Sequence, residues 1–348
     1  MSKAITFALM LLVFVIPIYA QESILEKQLE IRQASLDVLT KTLEISMDAS
    51  ISYVKELGGS TSELDSLKGD FLAKREEQRN VKDHASLNSG IGEMSNILKS
   101  FNVKADEIIK ANNGNPLIWI GKVLAAAKEN EGAINEKKDA YWEVKREKTL
   151  EIFDEQMNAI NVVAKFIESS GWDMSQINAK IGQLEGLRDD LDGALSSKNE
   201  IEVAKVQFQI VAVGAELVAV GAPGLEWAYS AQTIAFWLDV ASNALEGIDK
   251  MLTQLEGIGI DVSELRQVYS RATSDLNQLQ NAYDTKNAAL ARDALAKLQK
   301  DWVDFAAKLN EIISSGKLTE GYQKQVEGII SALKSSQQQI SQDMGGIK

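Results

Sequence analysis

The side chains that carry most enzyme chemistry are scarce in this chain. Cysteine is absent and His84 is the sole histidine. Without thiols there are no disulfides, zinc–thiolate sites, iron–sulfur clusters or cysteine nucleophiles. One histidine cannot form a paired-imidazole zinc site, nor supply the two Glu-x-x-His motifs of a di-iron bundle. His84 lies in Val81-Lys82-Asp83-His84 with no serine beside it to activate, and it reads as a solvated or half-buried side chain. Carboxylates are plentiful. The densest run, Asp189-Asp190-Leu191-Asp192-Gly193, sits in a helix-like stretch and lacks the downstream spacing of an EF-hand loop. No Gly-x-x-x-x-Gly-Lys-[Ser/Thr] phosphate loop occurs. The expectation is a non-enzymatic protein with no catalytic residue, no metal and no cofactor.

Charge narrows the partners. The chain has 37 basic and 50 acidic residues, a net charge of −13. That field repels a polyanion, and no Lys/Arg-rich run offsets it. Nucleic acid is therefore not expected as a partner.

The elements that must position any site are helices. Only three prolines occur, Pro17, Pro116 and Pro223, so very long helices are permitted. Leu25, Leu29, Leu36, Leu39, Leu43, Met47, Ile51, Val54 and Leu57 form one apolar stripe at three- and four-residue steps, apart from one seven-residue gap. This predicts a helix over 23–57. A second long helix is predicted over 131–169. Its first half is crowded with charge, and Leu150, Phe153, Met157, Ile160, Ala164 and Ile167 supply its buried side. Alternating β patterns are missing. The fold class expected is all-α, an elongated bundle or coiled-coil-like rod of long antiparallel helices.

A seven-residue junction recurs three times, as Gly58-Gly-Ser60-Thr-Ser62-Glu63-Leu64, Gly171-Trp-Asp173-Met-Ser175-Gln176-Ile177 and Gly259-Ile-Asp261-Val-Ser263-Glu264-Leu265. Glycine ends the incoming helix in the left-handed conformation. Ser60, Asp173 and Asp261 are placed to cap the next helix. Glu63, Gln176 and Glu264 are placed to return the bond, completing a capping box. Lys198-Asn199 and Lys286-Asn287 lie equally far beyond Ser175 and Ser263, and read as second turns, with Arg79-Asn80 a nearer analogue in the first copy. This predicts three divergent helix–turn–helix repeat units: 21–111, 131–223, and 224–348 with a C-terminal helix. An insert over 112–130 carries the Asn112-Asn113-Gly114-Asn115-Pro116 loop and a short apolar helix.

Two apolar segments stand out. The first, Val206 to Leu238, includes Val218, Val220, Trp227 and Trp237, and is split by Gly221-Ala222-Pro223-Gly224, which reads as a turn. Halves of this length are short of the roughly 20 residues that span hydrocarbon. The expectation is a buried helical hairpin; the alternative is a membrane-inserting hairpin of pore-forming type. The second, Pro116 to Ile120, places Trp119 and Ile120 beside the loop, either pinned into the core or touching a membrane or partner.

The N-terminus has the form of a secretory signal. Lys3 precedes the apolar run Ala4 to Ile16, Pro17 follows, and Ala20 ends a cleavage site before Gln21. A protein acting at the cell exterior is expected, structural, adhesive or partner-binding, with a protein partner or self-association along helix faces. The alternatives are the membrane-active reading above, and a filament subunit that retains Ala4–Ala20. N-terminal sequencing of protein recovered outside the producing cell should begin at Gln21; a chain that still carries Ala4 would support the retained helix.

Overall fold

The computed structural model describes residues 18–347, with side chains from Gln21 onward. Lys3, Ala4–Ile16 and Pro17, which carry the expected secretory signal, lie outside the described residues. Ten α-helices follow one another: α1 (Ile18–Glu56), α2 (Ser62–Gln78), α3 (His84–Ala111), α4 (Pro116–Glu129), α5 (Glu131–Ser169), α6 (Ser175–Ser196), α7 (Glu200–Gly257), α8 (Ser263–Asp284), α9 (Ala288–Ser314) and α10 (Glu320–Asp343), with a short 3₁₀ turn over Met344–Gly346. No strand occurs among the described residues. The chain is an all-α helical bundle.

It divides into two compact units. Of the described residues, one unit holds those up to Ile160 together with Lys180–Ala215, and the other holds Asn161–Ala179 and those from Glu216 on. In the first, α1 packs against α2, α3 and α4, and α2 against α3. Leu29, Leu36, Met47 and Val54 of α1 meet Leu64 and Phe71 of α2 and Leu87, Met94, Phe101 and Ile109 of α3. In the second, α9 packs between α8 and α10. Its stripe of Leu295, Leu298, Trp302, Phe305 and Leu309 is fully buried, against Leu265, Val268 and Leu279 of α8 and Val326, Ile330 and Leu333 of α10. Each stripe follows the 3.6-residue period, and each buried Leu or Phe stabilises by about 1.5–3 kcal/mol.

The corners form as backbone chemistry requires. Gly58, Gly171 and Gly259 have φ of 77°, 74° and 77°. At the first, the N–H of Gly59 donates to the Val54 carbonyl (3.0 Å); at the third, the N–H of Ile260 donates to the Leu255 carbonyl (3.0 Å). These bonds close carbonyls that a helix end leaves open. Lys198 and Lys286 also adopt positive φ. Asn199 Oδ1 then accepts from the Ile201 N–H, and Asn287 Oδ1 from the Leu290 N–H, which starts the next helix. Gly316, φ 68°, makes a fourth glycine corner, before α10, that the junction pattern does not predict.

The capping expectation is met only in part. Asp173 Oδ1 accepts from the Ser175 N–H (2.9 Å) and Asp261 Oδ1 from the Ser263 N–H (3.0 Å). Ser60 instead faces the Ser62 hydroxyl, and α2 has no side-chain cap. Glu63 and Glu264 do not return a bond to the backbone. Glu63 pairs with Lys104 (2.9 Å) and Glu264 with Lys308 (2.6 Å) on the helix beyond the next turn. A lysine within reach of a carboxylate offers a charged donor, which outcompetes a neutral N–H.

The clearest correction concerns Pro223. The turn expected at Gly221–Gly224 is absent, and α7 runs unbroken for 58 residues through Pro223. The boundary expected at 223/224 thus falls inside a helix. Proline removes one i→i−4 bond and crowds the preceding turn, but a helix survives this where tertiary packing outweighs it. Here the packing is at the next residue. A Cβ on Gly224 would lie 2.8 Å from Ile167 Cγ2 and from Trp172 Cδ1, so the helix is seated closely against the Gly171 corner. The Trp227 indole N–H, one turn on, donates to the Ser170 carbonyl (3.2 Å). If the helix is continuous, Pro223→Ala should restore the lost bond and stabilise by about 1–3 kcal/mol in urea unfolding; a Pro–Gly turn would instead be weakened by the change.

Candidate functional site

Helix α7 carries two apolar stripes on one cylinder. The inner stripe begins with Val203 and Val206, which are buried, and passes through Ile210 and Val213, which are half-buried. The outer stripe is Ile201, Ala204, Phe208, Val211 and Ala215, all exposed; Ile201, Phe208 and Val211 are 69%, 75% and 68% exposed. At 100° per residue the two stripes point about 160° apart. Glu202, Gln209 and Glu216 form a polar line between them, with Lys205 paired to Glu202 at 2.7 Å. Around Phe208 the side chains of Glu200, Ile201, Ala204, Lys205 and Gln209 border an open groove of about 670 Å³. Glu200 is anchored by Lys145 (2.5 Å) and accepts from the Tyr141 hydroxyl.

The burial expected over Val206–Leu238 holds for Trp227, Ile234 and Trp237 and fails for Phe208 and Val211, and the segment is one helix and not a hairpin. In the most apolar 18 residues of α7 only 11% of positions are buried. Among the described residues α7 is also the one helix long and apolar enough to cross a membrane. The named contact residues separate accordingly. Trp227 and Trp237 are 3% and 2% exposed, so neither forms a surface contact. Both belong to a core shared with α8, α9 and α10, and the Trp237 indole N–H donates to Asp343 Oδ2 (3.1 Å). Val218 and Val220 are half-buried. Ile201 and Phe208 carry no distinguishing signal in the sequence, because apolar residues on both faces of a helix give no one-sided pattern.

The insert provides a second exposed patch. Asn113 takes positive φ, and Asn115 Oδ1 caps α4 through the Leu117 N–H (2.9 Å). Helix α4 buries none of its residues fully. Trp119 is half-buried, packed on the α1–α3 core, with its indole N–H donating to Ser50 Oγ (2.8 Å). A cavity of about 250 Å³ lies beneath it, lined by Leu43, Met47, Leu98 and Phe101. Ile120, Leu117 and Leu124 are exposed.

The polar residues are occupied structurally. His84 Nδ1 lies 3.0 Å from Arg32 Nη1, and its Nε2 lies 3.1 Å from the Leu25 carbonyl. Both ring nitrogens are thus engaged within the fold. Asp192 pairs with Arg146, and Asp189 and Asp190 are exposed on α6. Among the described residues no group of three or more His, Asp or Glu is placed to hold a metal ion.

One carboxylate pair departs from this pattern. Asp301, buried on α9, accepts from Arg271 Nε (3.2 Å), but its Oδ2 has no partner. Burial pushes its carboxyl above the ordinary aspartate range despite Arg271. Asp275 on α8 is raised too, first by burial and then by the Asp301 charge. The fold thus favours the protonated acids. Their contribution to stability is fully present below the ordinary aspartate range and is lost as pH rises through the raised values. Asp275→Asn removes the charge that repels Asp301 and offers an N–H donor in its place. It should raise Tm at pH 7 by about 2–4 °C, with the gain vanishing toward pH 3, read by calorimetry at both pH values. Comparison with family models, with curated proteins and with solved structures finds no match to this chain.

Proposed function

We propose that this protein is a non-enzymatic, exported binding module that works through helix faces, with the outer stripe of α7 as its main contact surface. The observation that carries the reading is the exposure of Ile201, Phe208 and Val211 on a helix whose opposite face already satisfies the fold. Exposed apolar side chains gathered on one rigid face lose free energy in water, at about 25 cal/mol per Å² left uncovered. A contiguous patch of this kind marks an interaction site more often than chance exposure. Its rigid helical backbone means little ordering entropy is lost on contact. The exposed face of α4, with Leu117, Ile118, Ile120 and Leu124, is a second candidate contact of the same character.

The membrane-active reading has one observation in its favour, the length and apolarity of α7. Two features weigh against it. Glu202 and Glu216 run along the helix, and one carboxylate at mid-bilayer costs about 2.5–3.5 kcal/mol. Helices that lie on anionic membranes are rich in Lys and Arg on their polar face, whereas α7 offers Lys205 amid glutamates on a chain of net charge −13.

The test is a benzophenone photo-crosslinker at position 208, in protein made by its native cell, with position 209 as the control. Light should give a protein adduct at 208 and little at 209. Absence of any adduct at 208 would defeat the binding-surface reading. Dye release from lipid vesicles at nanomolar protein would favour the membrane reading in its place.

A further inference from the structure

We infer that the outer stripe of α7 is the seam of a parallel two-helix coiled coil with a second copy of this chain. This rests on the binding-surface reading above and names its occupant.

The spacing carries the first step. Ile201, Ala204, Phe208, Val211 and Ala215 recur at steps of three, four, three and four, and the sequence continues the register through Val218 and Ala222. Such alternation is the a/d pattern of a helix pair. The inner stripe, Val203, Val206, Ile210 and Val213, repeats the same steps and is taken up by the fold itself, buried or half-buried, so the outer stripe is the one left exposed. The two roles lie on opposite sides of one helix, so a partner helix can approach without disturbing the fold beneath.

The flanks carry the second step. With Ile201 at a, the g positions are Glu200, Gln207 and Gly214, and the e positions are Lys205 and Ala212. In a parallel pair each g residue faces the partner's e residue five positions on. Glu200 then faces Lys205 of the other copy, and Gln207 faces Ala212. The only charged contact across the seam is between opposite charges, and it forms twice by symmetry. Glu200 is already held in place by Lys145 and Tyr141, and a carboxylate has lone pairs enough for a further donor. An antiparallel pair sets e against e and g against g, which leaves Lys205 opposite alanine and forfeits that contact. Ala204, Ala212, Gly214 and Ala215 are small, which lets the backbones draw near. The b positions, Glu202, Gln209 and Glu216, stay in water in the pair, whereas a bilayer would have to take up their charge.

The absence of cysteine makes the test direct, since any disulfide must come from an introduced thiol. Purified chain from Gln21 onward should sediment as a dimer at tens of micromolar. Ala204→Cys, at a d position, should form a disulfide-linked dimer under mild oxidation, and Gln209→Cys, on the polar line, should not. The double variant Phe208→Gln with Val211→Gln should weaken association about 100-fold or more while leaving the monomer's helical signal and Tm unchanged, because both side chains are exposed in the monomer. A chain that stays monomeric up to about 0.1 mM, with no disulfide at 204, overturns the inference. If that monomer still yields adducts at position 208 with a different protein, the binding surface stands and its partner is not a second copy. If position 208 yields no adduct at all, both readings fall.

Discussion

Seven of the nine connections between helices turn at one residue held at positive φ: Gly58, Asn113, Gly171, Lys198, Gly259, Lys286 and Gly316. The rest of the fold depends on this. A left-handed residue stops a helix within one step and reverses the chain in a few more, so neighbouring helices lie against each other. Their stripes can then meet along whole lengths, as those of α8 and α9 do. In a chain without disulfides, that continuous contact is the main source of stability. The glycines supply the conformation at little steric cost, while Lys198 and Lys286 adopt it against the preference of a side chain with a Cβ. Each of those lysines is followed by an asparagine whose side chain caps the next helix, which offsets part of the strain.

Long helices create a second constraint, because a 58-residue helix passes more surroundings than one buried face can serve. In α7 the inner stripe meets the packing requirement and the outer stripe is surplus to it. Pro223 does not relieve the situation. It sits exposed on the helix, and the adjacent Gly224 allows the close seat against Ile167 and Trp172. Beyond that point Trp227 and Trp237 turn inward while Tyr229 and Phe236 stay exposed, and each tryptophan finds a hydrogen-bond acceptor for its indole N–H, as buried tryptophans usually do.

Polar side chains join helices more than they cap them. Glu63 and Glu264 occupy equivalent places after their corners, and each meets a lysine that is also paired one turn on, Lys104 with Glu107 and Lys308 with Glu311. Exposed pairs of this kind contribute about 0–1 kcal/mol each. The buried Arg75 is different. Its Nε and Nη2 reach Asp37 Oδ1 at 3.1 and 2.8 Å, and Nη2 also donates to the Gln33 carbonyl. This ties α2 to α1 in one register, since a slip would strand a charge away from water.

The sequence by itself determined the helical class, the corners and most helix limits. Those features are local. Periodicity, proline spacing, and Gly or Lys-Asn at a helix end act within a few residues, so α5 begins and ends at Glu131 and Ser169 as its pattern predicts. The same local reasoning misplaced Glu63 and Glu264, because the lysines that claim them lie some forty residues away in sequence and come within reach only after the chain reverses. Only tertiary structure could decide Pro223, because the Pro–Gly pair favours a turn locally and the packing of Ile167 and Trp172 overrides it. It also decided which apolar residues are inside. Val206 and Phe208 are equally apolar and two positions apart, yet one is buried and the other is three-quarters exposed. Composition records how much a residue avoids water, while its direction around the helix and the presence of a neighbour decide whether it escapes it.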